Sequence, residues 1–167
     1  HFGKECSIDL EKIFKDLEHD EDGLYKLRIV YDLEGNFRAQ MLPYAFPEIE
    51  TFELVENNDF SYDFKFADRT EFENMKKKAR AQEIIIVKNG QITDTSFSNL
   101  LFLKNQTWYT PKSFLLNGVQ RQNLLKQGKI KETEITLQNL TEFSHFQLIN
   151  SMNEFNQDFV YSIEELK

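Results

Sequence analysis

The first residue whose type and placement could serve chemistry is Lys65, which interrupts a run of aromatic residues. Phe60, Tyr62, Phe64 and Phe66 occupy one parity of this run, and polar residues occupy the other. The alternation predicts a β-strand that buries its aromatic face and presents Lys65 on the opposite face. A neutral lysine amine can act as a nucleophile and can carry protons. The alternative is a strand lysine that faces solvent.

A second candidate is Gly118, which stands just before a helix predicted to begin at Val119. The first N–H groups of a helix have no partner within it, and the helix dipole adds positive potential at the same end. The backbone of Val119 and Gln120 could therefore hold a phosphate group. The alternative is a plain turn that leads into a helix.

A third candidate is the polar run 94–99, which lies between apolar strands. Asp94 opens the run, and Ser98 and Asn99 close it. These residues supply a carboxylate, a hydroxyl and an amide within a strand pair. The alternative is an exposed face with a hydrogen-bonded corner.

The elements that must position these residues follow from periodicity and turn signals. Alternation predicts many short strands, and the Asn89-Gly90 pair supplies the left-handed residues of a tight hairpin between two of them. Strands are predicted over 24–32, 37–42, 51–55, 83–87, 91–97, 100–104, 107–110, 129–135 and 146–150, and helices from Ser7 to Leu17, through Phe72, Met75 and Ala79, and over 119–127. The fold class is α/β (α+β), with mixed and antiparallel sheets.

A polar break at 57–59 indicates two lobes. Residues 1–58 are predicted to form a truncated N-terminal lobe. Residues 59–167 are predicted to form a C-terminal lobe that binds the cofactor. No internal repeat or low-complexity linker is visible in the sequence.

Composition excludes several classes of function. The chain has 167 residues, 16 of them Phe, and a formal net charge of −8. That charge disfavours nucleic acid and anionic membranes as partners. Three scattered histidines give no metal-ligand spacing, so no metal is expected. A single cysteine and the absence of a long apolar run or a signal-peptide pattern favour a reducing, cytoplasmic location.

Taken together and in order, these motifs resemble the class IV pyridoxal-phosphate (PLP) aminotransferase family. That family includes 4-amino-4-deoxychorismate lyase, branched-chain aminotransferase and D-amino acid aminotransferase. The matching stretches span roughly 63–152 and comprise Lys65-Phe66-Ala67-Asp68-Arg69, Gly90-Gln91-Ile92-Thr93-Asp94, Ser98-Asn99-Leu100-Leu101-Phe102, Thr110-Pro111 and Leu115-Leu116-Asn117-Gly118-Val119-Gln120-Arg121. The lysine segment and Leu148-Ile149-Asn150-Ser151-Met152 are most similar to the lyase branch.

The resemblance implies PLP as cofactor, the PLP fold type IV and a role for each matched residue. Lys65 would be the Schiff-base lysine, its pKa lowered by burial near the cofactor, and would act as general acid and base. Asp94 stands where the family has a glutamate that pairs with the pyridine nitrogen. Because aspartate is one methylene shorter, either the ring lies closer to the strand or this contact is loosened.

The remaining cofactor contacts are implied by the same resemblance. Gly118, Val119 and Gln120 would form the phosphate site, and Ser98 and Asn99 would lie at the cofactor. Asn150 and Ser151 would form a second phosphate-side corner, although a buried strand end explains them as well. Lys26 and Arg28 share a strand face and could receive a substrate carboxylate, with an exposed basic pair as the alternative.

The implied activity is elimination of pyruvate from 4-amino-4-deoxychorismate to give 4-aminobenzoate for folate synthesis. An aminotransferase with the same lysine and cofactor is the alternative, and a non-catalytic, degenerate family member is the second alternative. The family associates as homodimers, so we expect a dimer. The pattern of the family begins with a strand and a helix that this sequence, starting at His1, does not show, so the first lobe is expected to be incomplete.

Overall fold

The computed structural model describes residues 8–18, 22–153, 155–156 and 159–166, and it divides into two compact units. The first unit is His1–Pro47 and the second is Glu48–Lys167. The division therefore falls before the boundary at 58 that the sequence predicts. The reason is that strand β3, Phe52–Glu56, pairs along its length with β4, Glu83–Lys88, and so belongs to the second unit.

The described residues of the first unit form one short helix and one hairpin. Helix α1, Leu10–Asp16, begins after Asp9, whose side chain accepts the N–H of Lys12 at 3.0 Å. Ser7, at which the helix is predicted to begin, lies outside the described residues. Strands β1, Tyr25–Tyr31, and β2, Phe37–Pro43, pair in antiparallel register, as their alternating sequences predict.

The second unit is built on two sheets. Its further strands are β5 Gln91–Thr95, β6 Asn99–Lys104, β7 Thr107–Pro111, β8 Lys131–Thr133, β9 His145–Ile149 and β10 Tyr161–Ser162. β3 runs parallel to β4, which pairs antiparallel with β5 in a three-stranded sheet. A five-stranded sheet has the order β10-β9-β6-β7-β8. The fold is thus the mixed α/β class that the sequence predicts.

The almost wholly apolar sequence of β4 is explained by burial on both faces. Ile85 and Val87 pack into a core that both sheets share. Ile84 and Ile86 point to the opposite face and pack under helix α2, Thr70–Lys78. A strand covered on both sides has no position at which a polar side chain can reach water.

The strand predicted through Phe60 to Phe66 is not formed, and this segment is irregular. The Tyr62 hydroxyl donates to the Phe66 carbonyl oxygen at 2.8 Å, which folds the segment back on itself. The rings of Phe60 and Tyr62 both contact Phe72 edge-on, with centroids 4.9 and 4.8 Å away. Two of the four rings, those of Phe60 and Tyr62, thus pack against α2, and the alternation does not form one face of a strand.

Two turn and helix predictions are confirmed. Asn89 and Gly90 both have positive φ, 52° and 73°, in the hairpin between β4 and β5. Helix α3, Val119–Lys126, follows Gly118 as expected. Within the described part of the chain, no helix has the length and apolar character that a membrane span requires.

Candidate active site

Asp94 is a buried carboxylate at the centre of a polar cluster in the second unit. It lies on β5, and its side chain is 5% exposed. Oδ1 accepts a hydrogen bond from Asn99 Nδ2 at 2.7 Å. Oδ2 accepts the backbone N–H groups of Leu115 and Leu116 at 2.8 and 2.9 Å. The carboxylate therefore ties β5 to the loop that precedes α3.

Burial raises the pKa of the Asp94 carboxyl from its ordinary value of 3.8 to about 6. The hydrogen bonds from Leu116, Asn99 and Leu115 lower the pKa, as does the charge of Arg121, but desolvation is the larger effect. Asp94 is consequently ionised over most of its population at pH 7 and above. An ionised carboxylate in this position can accept a hydrogen bond from a cationic ring nitrogen.

The raised pKa of Asp94 predicts how the stability of the ligand-free protein depends on pH. Because the pKa is higher in the folded than in the unfolded state, the contribution of Asp94 to stability is complete below about pH 4. It is lost as the pH rises to about 6, by about 3 kcal/mol. Asp94→Asn does not titrate, so the free energy of unfolding of wild type minus that of the variant should fall over this interval and then level off. Urea unfolding at pH 4 to 8 measures it, and a constant difference would contradict the prediction.

The turn that joins β5 to β6 is held by two charged side chains. Glu83, 1% exposed, accepts the N–H of Ser96 through Oε1 at 2.9 Å and the Nζ of Lys76 through Oε2 at 2.8 Å. Arg69 donates from Nη2 to the carbonyl oxygen of Ser96, and its guanidinium lies 4.3 Å from the centroid of the Phe72 ring. The peptide groups of Ser96 are therefore bonded on both sides, two residues beyond Asp94.

Substitution of Glu83 should reveal the strength of that support. Glu83→Leu leaves the buried N–H of Ser96 without its acceptor and should lower the free energy of unfolding by about 3 kcal/mol. Glu83→Gln keeps an acceptor and should cost about 1 kcal/mol. Glu134→Gln, at an exposed position, is the matched control, and urea denaturation is the measurement. Equal losses for the leucine and glutamine variants would show that Ser96 does not depend on this acceptor.

Lys65 lies in the irregular segment, four residues before Arg69, and it is exposed. The shielding of its amine that the resemblance implies is therefore not provided by the described residues. A cleft of about 370 Å³ lies beside the same loop and is lined by residues 60–62 and 66–72. Its lining does not include Asp94 or Gly118, so it is not the pocket expected between Lys65 and α3. The contact from Arg69 to Ser96 connects the Lys65 segment with the turn that follows Asp94.

The N-terminus of α3 has the form of an anion site. Among the described residues, no side chain caps this helix, and Gly118 stands at the cap position. Val119 is 64% exposed and opens the helix, followed by Gln120. An ideal Cβ on Gly118 would lie 2.2 Å from Asn99 Oδ1, so glycine is required here by the close approach of that amide.

Arg121, 2% exposed, anchors the first turn of α3. Nη1 donates to the side-chain oxygen of Asn117 at 3.0 Å, and Nη2 donates to the carbonyl oxygen of Pro111 at 3.1 Å and forms an ion pair with Glu132. The guanidinium also lies 4.4 Å from the centroid of the Phe114 ring. These contacts hold the start of α3 against β7 and β8.

Asn150 and Ser98 are brought together, whereas Ser151 stands apart from them. Asn150 Nδ2 donates to the Ser98 hydroxyl at 2.9 Å, and its Oδ1 accepts the N–H groups of Met152 and Asn153. Ser151 is exposed. Asn150 thus holds the turn after β9 against the turn before β6, and a phosphate contact from either Asn150 or Ser151 stays a prediction.

Lys26 and Arg28 both lie on β1 in the first unit, and both are exposed. They share one face of the strand, as their spacing predicts. Their proposed contact with a substrate carboxylate stays a prediction.

The sequence patterns did not indicate three residues that support the site: Arg69, Glu83 and Arg121. Each bonds a group at least ten residues away along the chain. A weak signal was present for Glu83, because a charged residue begins an otherwise apolar strand. Arg69 and Arg121 both stand within stretches that carry the family resemblance.

Comparison with known proteins shows what this chain is similar to. The pattern of the amino-transferase class IV family matches residues 22–156. An uncharacterised protein of Haemophilus influenzae is 36% identical over 134 residues, which are 80% of this chain and 71% of the relative. The crystal structure of a candidate 4-amino-4-deoxychorismate lyase from Haemophilus somnus 129PT is 38% identical, with a TM-score of 0.79, over 89% of this chain and 78% of that one.

A more distant structure shares the fold. An aminotransferase from Brucella abortus, solved with PLP bound, is 18% identical with a TM-score of 0.54, and the match covers 78% of this chain and 51% of that one. The mixed and antiparallel sheets of the second unit are therefore those of PLP fold type IV, as the sequence resemblance implies.

Proposed function

Because this chain belongs to the class IV aminotransferase family, we propose that it acts as a PLP-dependent lyase that eliminates pyruvate from 4-amino-4-deoxychorismate to give 4-aminobenzoate. The observation that carries the proposal is the hydrogen-bonded connection between the buried Asp94 carboxylate and the loop that leads into α3. The 38% identity with the candidate lyase of H. somnus favours the lyase over other activities of the family.

Groups of this chain fit both ends of PLP, its ring nitrogen and its phosphate. Asp94 Oδ1 accepts the hydrogen bond from Asn99 described above, and a carboxylate oxygen has a second lone pair with which to accept a ring N–H. The first N–H groups of α3, from Val119 and Gln120, are suited to a phosphate. When bound, PLP supplies a ring that withdraws electrons from the substrate carbon.

The residues of the chain would have separate roles in the reaction. Asp94, ionised above about pH 6, would keep the ring nitrogen protonated. Lys65 would hold the cofactor covalently through Nζ, and the amine, once the amino group of the substrate has displaced it, would take a proton from the substrate and return it. Arg69 would keep the Lys65 segment connected to the turn at Ser96. Lys65 is exposed in this structure, so a cofactor that approaches from solvent can reach its segment.

The oligomer and the location are parts of the same proposal. We propose a homodimer, as in the family that the sequence resembles, and sedimentation velocity of the purified protein tests it. A cytoplasmic location would agree with the single cysteine and with a step in folate synthesis.

Product analysis tests the proposed reaction. The purified protein is incubated with PLP and 4-amino-4-deoxychorismate without any keto acid, and 4-aminobenzoate and pyruvate are measured. Equal amounts of the two products are expected. Products that require 2-oxoglutarate or pyruvate as amino acceptor would replace the lyase by an aminotransferase. No reaction and no visible absorption band with PLP would leave a non-catalytic member of the family.

A further inference from the structure

Asn99 connects two parts of the site through one amide group. It is the first residue of β6 and is 7% exposed. Its Nδ2 donates both to Asp94 Oδ1 at 2.7 Å and to the carbonyl oxygen of Leu116 at 2.8 Å. An amide nitrogen has two protons, so both donors of Asn99 are used.

Asp94 also bonds the loop that contains Leu116, at peptide N–H groups. Oδ2 of Asp94 accepts the N–H groups of Leu115 and Leu116, while Asn99 bonds the carbonyl oxygen of Leu116. Leu116 is thus fixed at its N–H and at its C=O by two side chains that are bonded to each other. Two residues later the chain reaches Gly118, against which Asn99 Oδ1 lies so closely that a Cβ would be 2.2 Å away.

We propose that Asn99 is a positioning residue that fixes the Asp94 carboxylate and the N-terminus of α3 relative to each other. It acts through these two groups and not by touching the cofactor. If PLP binds as proposed above, on which this inference rests, its ring nitrogen and its phosphate lie at the two ends of the unit that Asn99 holds together. Asn99 then sets the distance and angle between the two ends of the site.

The chemistry of the site explains why this position requires an amide. Alanine would leave the Leu116 carbonyl oxygen without its partner in a partly buried place and would remove the hydrogen bond to Oδ1 of Asp94. Aspartate would put a second carboxyl group within hydrogen-bond distance of Asp94. Two carboxyl groups so close cannot both ionise without a large cost, so the pair would hold one proton between them. Arg121 is the charged residue whose field reaches Asp94 in this structure.

The first test uses Asn99→Ala and two ligands that probe the site differently. PLP is titrated by absorbance, and inorganic phosphate is titrated as its competitor. We expect both dissociation constants to rise at least tenfold, because Asp94 and Leu116, which lead into the start of α3, each lose the hydrogen bond from Asn99. Asn123→Ala, on the exposed side of α3, is the control and should bind as wild type does. Weaker PLP binding with an unchanged phosphate constant would overturn the proposal, since it would mean that Asn99 acts at the ring alone.

The second test needs no ligand and uses Asn99→Asp. The variant loses the donor to the Leu116 carbonyl oxygen at every pH, so its thermal midpoint should lie below that of wild type at pH 5, where the carboxyl pair keeps a proton. The midpoint should fall by several further degrees relative to wild type at pH 8. Asn123→Asp makes the same chemical change on α3 and should follow wild type at every pH. A difference that does not vary with pH would overturn the proposal, because a merely structural defect carries no such dependence. Failure of wild type to bind PLP would end the proposed function and leave this test decisive for Asn99.

Discussion

Lys65→Ala should abolish the covalent attachment of PLP and lower the rate of pyruvate elimination by about 10³-fold or more. The amine is the group that would both bind the cofactor covalently and transfer the substrate proton, and alanine can do neither. Non-covalent binding of PLP should remain, because Asp94 and the phosphate site proposed at α3 are unaltered. The measurements are the visible absorption band, borohydride trapping followed by peptide mass analysis, and product formation.

The control for Lys65 is a second exposed lysine of the same unit. Lys77→Ala, on α2, removes the same group from a helix surface and should keep the visible band and the activity. Borohydride treatment of wild type should label the peptide that contains Lys65. Labelling of another lysine, or an unchanged visible band in Lys65→Ala, would remove Lys65 from the proposed chemistry.

Gly118→Ala should destabilise the protein by about 1–3 kcal/mol and weaken PLP binding strongly. The added Cβ would lie 2.2 Å from Asn99 Oδ1, far inside van der Waals contact. Asn99 cannot move away without losing its bonds to Asp94 and Leu116, so the cost reaches the carboxylate as well as the helix. Urea unfolding and an absorbance titration with PLP measure the two effects.

A double-variant cycle provides the control for Gly118. In the Asn99→Ser background the offending oxygen is absent, so the stability lost through Gly118→Ala should largely disappear. The backbone at Gly118 has φ −64°, which any residue adopts, so no conformational strain should remain. An equal loss in both backgrounds would show that the steric contact with Asn99 is not the cause.

Local sequence patterns were sufficient for most of the secondary structure. Alternation placed β1 and β2 within a residue or so of their observed ends, and the Asn89-Gly90 pair located the hairpin between β4 and β5. These features depend on φ preferences and side-chain parity, both of which act over a few residues. The family was indicated as well, because several short motifs occur in the order and spacing that the family shares.

The segment 60–66 shows where such patterns are insufficient. Its alternation satisfies the requirement for a strand, but the rings of Phe60 and Tyr62 contact Phe72 on α2, and the Tyr62 hydroxyl bonds the Phe66 carbonyl oxygen. Tyr62 is buried without any strand pairing, whereas Phe66 is exposed. Tertiary packing thus overrides the local preference of this segment for a strand.

Most contacts of the candidate site are likewise decided by tertiary packing and not by local sequence patterns. From the motifs one expects Asp94, Asn99 and Gly118 near a cofactor, but not that Asp94 accepts two peptide N–H groups, or that Asn99 occupies the space of a Cβ on Gly118. Side-chain parity and turn preferences depend on residues that are adjacent in the chain, so the sequence alone indicates them. Hydrogen bonds between residues some 20 positions apart arise from how the sheets and helices pack, and that packing appears in no local pattern.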